Sequence, residues 1–72
     1  MPGFGGGHSG FIHLDGCDIL QVTEKAVLIR YDGEKHWIPK SQMAYPDDFE
    51  PGDVDLTVSV TEWIAEQKGI LV

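Results

Sequence analysis

The chain has 72 residues, a formal net charge of −7 and one cysteine, Cys17. This length predicts one small domain, the lone cysteine excludes an internal disulfide, and the charge argues against sequence-blind binding to nucleic-acid backbones. No apolar run approaches the roughly 20 residues that span a bilayer, and the N-terminus lacks the pattern of a signal peptide. We therefore expect a soluble, cytoplasmic protein, for which a homodimer would supply stability that a small core lacks.

Residues 1–10, MPGFGGGHSG, are half glycine and predict a flexible tail, which leaves residues 11–72 as the folded domain. The glycines at 5, 7 and 10 formally match the dinucleotide-binding fingerprint. That motif needs a strand before it and a helix after it, so that the helix N-terminus meets the pyrophosphate. Neither is expected here, and the match does not indicate a nucleotide site.

A strand and a hairpin come next in the chain. CDILQV, residues 17–22, predicts a short strand, and AVLIRYDGEKHWIPK, residues 26–40, predicts a hairpin that turns at Asp32 and Gly33. A two-residue turn there pairs positions whose numbers sum to 65, so Leu28 faces Trp37. One face of the hairpin then carries Val27, Ile29, Tyr31, His36 and Ile38, and the other carries Ala26, Leu28, Arg30, Lys35 and Trp37. Both faces are partly apolar, which favours a small curled barrel or a sheet covered on both sides.

The C-terminal half predicts a loop, a strand and a helix. MAYPDDFEPGD, residues 43–53, contains two prolines, a glycine and four acids, and we call it the acidic loop. VDLTVSV alternates apolar and polar residues as a half-buried strand does. TEWIAEQKG predicts a short helix capped by Thr61 and ended by Gly69, with Trp63 expected in the core.

These elements predict a mainly β (α+β) domain. Its expected form is a curled antiparallel sheet of three to five strands, or an SH3-like or OB-like barrel, with a short C-terminal helix.

The spacing of the potential ligand and catalytic residues indicates neither a metal site nor an active site. The soft metal ligands His8, His13, Cys17 and His36 have spacings that zinc sites permit but that do not identify one. The carboxylates of Asp47, Asp48, Glu50, Asp53 and Asp55 cluster as calcium ligands do, yet their spacing does not match an EF-hand. A chain this short also has little room for a water-excluding catalytic pocket. We expect neither a cofactor nor an enzyme.

Seven residues are the candidates for contact with a partner. Trp37 and Tyr31 are candidates because tryptophan and tyrosine are enriched in interfaces, and Trp37 is the anchor if it is exposed. Lys40 and Gln42 lie beside Trp37, and Tyr31 lies elsewhere on the hairpin. The acidic loop adds Asp47, Asp48 and Glu50. Residues 43–72 carry seven acids and one lysine, so the expected protein partner is basic.

Several strings also resemble a known group of proteins. DGEKHWIPKSQ and VTEWIAEQKGI, within residues 22–70, resemble small uncharacterised proteins of bacteriophage and mobile elements. The resemblance implies a viral or accessory gene and assigns no active-site residue.

Together these observations predict a noncatalytic interaction protein that binds a protein partner, for example to inhibit a nucleic-acid enzyme. The alternative is a module that binds single-stranded nucleic acid on Tyr31 and Trp37, with Arg30, Lys35 and Lys40 close by.

Overall fold

A computed structural model describes residues 10–70 of the protein. The chain forms β1 (Phe11–Val22), β2 (Ala26–Tyr31), β3 (Glu34–Pro39), β4 (Leu56–Thr61) and α1 (Glu62–Gln67), with 3-10 turns at Lys40–Gln42 and Pro46–Asp48. The strands form one antiparallel sheet in the order β3-β2-β1-β4. The prediction of a mainly β domain with a short C-terminal helix is confirmed. The predicted tail lies, apart from Gly10, outside the described residues, as does His8.

The hairpin has the predicted turn and register. Asp32 and Gly33 have φ angles of 53° and 80°, the left-handed values that a two-residue turn with this twist requires. Leu28 pairs with Trp37 and Tyr31 with Glu34. Because the turn fixes the register, it also fixes which side chains face the core.

β1 is twice as long as predicted, since it begins at Phe11 and not at Cys17. Two irregularities interrupt its pairing, one against β4 between Leu14 and Cys17 and one against β2 between Ile19 and Gln21. Gly16, in the first, has a φ of 76°. Such bulges break the alternation of apolar residues and bend the strand. The bent β1 pairs with β4 through its first half and with β2 through its second.

The sheet curls until the chain that follows β3 reaches β4. Met43 forms an antiparallel bridge with Val60, and the Ala44 N–H donates to the Ser59 carbonyl at 3.0 Å. At the start of this segment the Lys40 N–H donates to the Lys25 carbonyl at 2.8 Å. The segment after β3 therefore covers part of the outer edge of β4 and draws the two ends of the sheet together.

The core is aliphatic. Its buried residues are Leu14, Cys17, Ile19, Val27, Ile29, Ile38, Met43, Val58, Val60, Ile64 and Ala65. No aromatic residue within residues 10–70 belongs to this buried set, and four of them are exposed: Phe11, Trp37, Tyr45 and Trp63. The core is thus filled mainly by branched side chains from the inner faces of all four strands, with Met43 and α1 completing it.

α1 closes the domain as predicted, except for the position of Trp63. The Thr61 hydroxyl caps the helix by accepting from the Ile64 N–H at 3.2 Å, and Gly69 has the predicted left-handed φ, 72°. Ile64 and Ala65 face the core, whereas Trp63 is 58% exposed, so the expectation of a core Trp63 is wrong. One residue turns a helix by about 100°, and the cap at Thr61 directs Ile64 inward. Among the described residues, none lies in a helix of the length and apolarity needed to cross a membrane.

Candidate interaction surface

Trp37 stands on the outward side of the hairpin. It is 40% exposed, and its cross-strand neighbour Leu28 is half-buried on the same side of the sheet. Gln21 of β1 continues this row on the other side of Leu28. An indole that is partly packed and partly open, next to an aliphatic neighbour, can anchor a partner without large rearrangement.

The hairpin is the basic part of the molecule. Residues 25–40 contain four of the five basic side chains (Lys25, Arg30, Lys35 and Lys40) and two acids, a net charge of +2, while the rest of the chain carries −9. Arg30 and Lys35 are cross-strand neighbours on the same side as Trp37. We call the outward side chains Leu28, Arg30, Lys35 and Trp37 the hairpin face.

Asp18 fixes one edge of the hairpin face. Its carboxylate accepts from Arg30 Nη2 at 2.8 Å and from the Asp55 N–H at 3.1 Å. The Arg30 hydrogen bond, followed by the one from Asp55, lowers the pKa of Asp18 below its ordinary value of 3.8. This one carboxylate therefore links β1 to β2 and to the residue that precedes β4.

The depressed pKa of Asp18 predicts a loss of stability in acid. A carboxyl group whose folded pKa lies below the unfolded value contributes stability above the unfolded pKa and loses it as pH falls through the folded one. We expect the urea midpoint of the wild type to decline more steeply below about pH 4 than that of Asp18→Asn, which lacks this titration. Asp48→Asn, which removes an exposed carboxylate, is the control and should keep the wild-type slope. Equal slopes for wild type and Asp18→Asn would contradict the assignment.

The acidic loop has a fixed path. Phe49 packs against the core, and the loop backbone bonds to β1 at Ile19, whose N–H donates to the Asp53 carbonyl at 2.8 Å and whose carbonyl accepts from the Gly52 N–H at 2.9 Å. The Asp53 carboxylate accepts from the Glu50 N–H at 3.0 Å. The Asp53 carboxylate is thus paired within the loop.

The loop leaves the side chains of Asp47, Asp48 and Glu50 exposed. Because the backbone beneath them is anchored, the three carboxylates project from a defined scaffold.

The structure divides the seven predicted contact residues into groups. Lys40 Nζ lies 4.0 Å from Asp47 Oδ1, so the end of the hairpin and the acidic loop meet. Gln42 turns towards α1, where its Oε1 accepts from the Thr61 hydroxyl at 2.7 Å. Tyr31 lies on the core side of the sheet and packs against the core, opposite to Trp37. Trp37, Lys40, Asp47, Asp48 and Glu50 remain as candidates for contact, and the Lys40–Asp47 pair joins the end of the hairpin to the loop.

The described soft metal ligands do not converge on one site, because the bulge between Leu14 and Cys17 puts His13 and Cys17 on opposite sides of β1. His13 Nδ1 lies 2.6 Å from Ser59 Oγ on the outer side of the sheet, while Cys17 is buried in the core. His36 is largely covered, with its Nε2 3.7 Å from Glu34 Oε1. Burial raises the pKa of the Cys17 thiol to about 11. Within residues 10–70, no group of three or more His, Cys, Asp or Glu side chains is arranged to hold a metal ion.

Sequence reasoning missed three exposed aromatic residues, Phe11, Tyr45 and Trp63. Phe11 was not placed because the first half of β1 was not recognised. Tyr45 precedes Pro46, and a residue in that position is biased towards extended backbone, yet Tyr45 has a φ of 54°. The local sequence around each ring gave no signal of its exposure.

Comparison of the chain with protein-family models, with curated proteins and with solved structures found no match. The resemblance of residues 22–70 to phage and mobile-element proteins stays a prediction.

Proposed function

We propose that the protein is a noncatalytic interaction module that binds a basic protein surface through the acidic loop and Trp37. The observation that carries the proposal is the anchored geometry of the loop. Backbone bonds to Ile19 and the packing of Phe49 hold the segment, while Asp47, Asp48 and Glu50 stay exposed. A preorganised loop loses less conformational entropy on binding than a flexible acidic tail would.

The chemistry of the partner follows from the charge. Three carboxylates on a rigid loop complement lysine and arginine side chains, and electrostatic complementarity raises association rates and selects partners. A protein surface that normally binds phosphates carries such lysine and arginine side chains. An enzyme that acts on nucleic acid would therefore be inhibited when the carboxylates occupy positions otherwise taken by backbone phosphates.

Trp37 supplies the apolar part of the contact. Lys40 lies three residues from Trp37, and its Nζ lies 4.0 Å from Asp47 Oδ1, which joins the end of the hairpin to the acidic loop. Burial of a half-exposed indole gives affinity that does not depend on salt, and the carboxylates add a part that does.

The second candidate function is binding of single-stranded nucleic acid on the hairpin face. The presence of Arg30 and Lys35 on the same side as Trp37 favours it. Tyr31, the second ring proposed for stacking, lies on the core side, which leaves one indole where such sites use several aromatic rings.

Neutralising the loop tests the proposal. The partner is captured from a lysate of the source organism, identified by mass spectrometry and purified, and its Kd is measured by calorimetry. We expect the triple variant Asp47→Asn, Asp48→Asn, Glu50→Gln to weaken the Kd about tenfold, and Trp37→Ala to weaken it by a similar factor. The wild-type affinity should fall as salt rises, and less so in the triple variant.

A second triple variant is the matched control. Glu24→Gln, Asp32→Asn and Glu66→Gln remove the same number of exposed charges outside the loop. They should change the Kd far less than the loop variant. Equal effects of the two triple variants would contradict a specific role for the loop.

The alternative is tested with an oligothymidine titration in a Trp63→Phe background, where Trp37 is the only indole. Saturable quenching of Trp37 would favour stacking of bases on the hairpin face, whereas unchanged emission would exclude it.

A further inference from the structure

The outer edge of β3 carries backbone groups that the sheet leaves unpaired. β3 is an end strand, since the sheet has the order β3-β2-β1-β4. The Lys40 N–H donates to the Lys25 carbonyl at 2.8 Å, immediately beyond the last pair of the hairpin. Because hydrogen-bonded and non-hydrogen-bonded pairs alternate along an antiparallel ladder, this bond fixes the pattern for the whole hairpin. Lys35, Trp37 and Pro39 therefore direct their backbone groups away from β2.

These groups have the arrangement that an added strand requires. No backbone group elsewhere in residues 10–70 bonds to Lys35 or Trp37 on this side, and both residues are exposed. Pro39 offers a carbonyl there but has no N–H. A row of free N–H and carbonyl groups along an end strand is a template for an extended chain, which supplies the same groups at the same spacing.

The side chains beside this edge restrict which strand fits. Lys35 lies next to Arg30 on the outward side of the hairpin, and the Arg30 charge is paired with Asp18. Among the described residues, Lys35 forms no ion pair. Its ammonium disfavours another lysine directly opposite and favours an aromatic ring, on which the charge and its alkyl stem can pack. Trp37, on the same side of the same strand, is such a ring and is 40% exposed.

A second copy of β3 supplies both the backbone groups and the ring. When two copies of the strand run antiparallel and are centred on His36, Lys35 lies opposite Trp37 of the second copy, and Trp37 lies opposite its Lys35. The N–H and carbonyl groups of both residues are then hydrogen-bonded in both chains. On the inward side the two copies of His36 meet at the axis, and Glu34 lies opposite Ile38 of the second copy. No two acids and no two lysines are directly opposite each other.

The neighbouring registers fit less well. A pair centred on Lys35 sets two lysines directly opposite each other. A pair centred on Trp37 sets Lys35 opposite Pro39 of the second copy, which has no N–H for the Lys35 carbonyl. Lysine and proline on an end strand usually discourage edge-to-edge pairing. Here they disfavour the registers on either side and leave the one centred on His36.

We propose that the protein forms a symmetric homodimer in which β3 pairs with β3 of a second copy, antiparallel and centred on His36. A two-fold axis perpendicular to the sheet keeps the outward sides of both copies on one side, so the dimer has a continuous sheet. Trp37 then lies between Leu28 of its own chain and Lys35 of the second copy. One strand from each copy makes a small contact, which is typical of weak and transient complexes.

Analytical ultracentrifugation of the wild type over a range of concentrations tests whether the dimer exists. We expect a monomer–dimer equilibrium with a Kd of about 100 µM, as suits a small interface. A protein that remains a monomer at about 1 mM, roughly tenfold above that Kd, overturns the proposal whatever the variants do. Such a result would mean that Lys35 and Pro39 block the edge altogether.

Two substitutions of Lys35 separate backbone pairing from side-chain contact. Lys35→Pro removes the outward N–H and leaves the ladder with β2 intact, as Pro39 does at an equivalent position of the same strand. We expect it to weaken the dimer Kd about tenfold or more. Lys35→Ala removes the same side chain but keeps the N–H, and should weaken the Kd less than about threefold. Equal effects of the two would contradict strand pairing, and circular dichroism checks that both variants are folded.

Contacts between copies determine the register in the unaltered protein. In the register centred on His36, Glu34 and Ile38 of the second copy form a non-hydrogen-bonded pair, whose Hα atoms lie close together. In an equimolar mixture of isotope-labelled and unlabelled protein, an isotope-filtered nuclear Overhauser effect should join these two Hα atoms. Within one chain the two residues are at opposite ends of the strand, too far apart for such an effect. Intermolecular effects that join Glu34 to His36, or that lie only outside β3, overturn the proposal.

Variants that avoid Trp37, which both interactions use, distinguish this proposal from the proposed function. The variant Asp47→Asn, Asp48→Asn, Glu50→Gln should weaken binding of the basic partner and keep the dimer, whereas Lys35→Pro should lose the dimer and keep the Kd for the partner. Salt screens the repulsion between two acidic protomers but weakens the attraction of a basic partner to the acidic loop. The dimer should therefore hold or tighten between about 50 mM and about 500 mM salt. A dimer that dissociates in high salt overturns the strand-paired interface.

Discussion

Replacing Ile29 with alanine is expected to remove about half of the free energy of unfolding and to lower the urea midpoint accordingly. Ile29 is fully buried in β2, between its cross-strand partners Ile19 and His36. Truncation of such a side chain costs about 2–5 kcal/mol, through lost burial and the cavity left behind. At about 0.05–0.15 kcal/mol per residue, a chain of 72 residues has a total stability of about 4–11 kcal/mol.

The adjacent residue gives the matched control. Leu28 points to the other side of the same strand and is half-buried, so Leu28→Ala should cost about 1 kcal/mol. Urea denaturation followed by circular dichroism measures both variants. Similar midpoints for Ile29→Ala and Leu28→Ala would contradict the assignment of the inner and outer sides of the hairpin.

Substitution of Gly16 is expected to have the second-largest effect. Gly16 has a φ of 76° at the point where β1 bends away from β4, and a Cβ added there would meet its nearest atom, Asp55 Oδ1, at 3.9 Å. That distance is an ordinary contact, so the cost of a side chain comes from the backbone conformation. We expect Gly16→Ala to lose about 1–2 kcal/mol and Gly16→Val to lose more, since β-branched residues rarely adopt positive φ.

Asparagine separates conformation from packing at the same position. It tolerates left-handed backbone better than alanine and has a larger side chain, so Gly16→Asn should lose less stability than Gly16→Ala. The free energy of unfolding from urea titrations checks this order. If stability fell in the order of side-chain size, with asparagine below alanine, a steric explanation would replace the conformational one.

The hairpin, β4 and α1 were predictable because their signals are local. Asp32 and Gly33 specify a turn type, and that turn determines the pairing of every residue between Ala26 and Pro39. The Thr61 cap and Gly69 mark the two ends of α1 in the same way. Each of these signals operates within a few residues, where sequence patterns are most informative.

The first half of β1 could not be predicted from its alternation. The bulge at Gly16 inserts one residue, so the apolar positions Leu14 and Cys17 are three apart instead of two. The pair Asp15–Gly16 then reads as a turn, although it lies within a strand. A local pattern cannot reveal a bulge whose partner strand begins about 40 residues later.

The candidate site was predicted only in part, because long-range contacts decide which of the predicted residues are exposed. Alternation alone places Tyr31 and Trp37 on opposite sides of the hairpin. The loss of Gln42 from the site reflects its hydrogen bond to Thr61, 19 residues away. The anchoring of the acidic loop by Ile19 and Phe49 likewise joins distant segments. The composition identified the charged side chains of the loop, and tertiary contacts determined which of them are exposed to a partner.

The position of Cys17 has a practical consequence. The only thiol of the chain, on β1, is buried in the core with none of its surface accessible, and its Sγ donates to the Leu14 carbonyl at 3.3 Å. A reagent in solution reaches that sulfur only after the core opens, because the closed form offers neither access nor a reactive thiolate. The rate of alkylation of the Cys17 sulfur would then measure how often the domain opens. No label would be added to a surface proposed for binding.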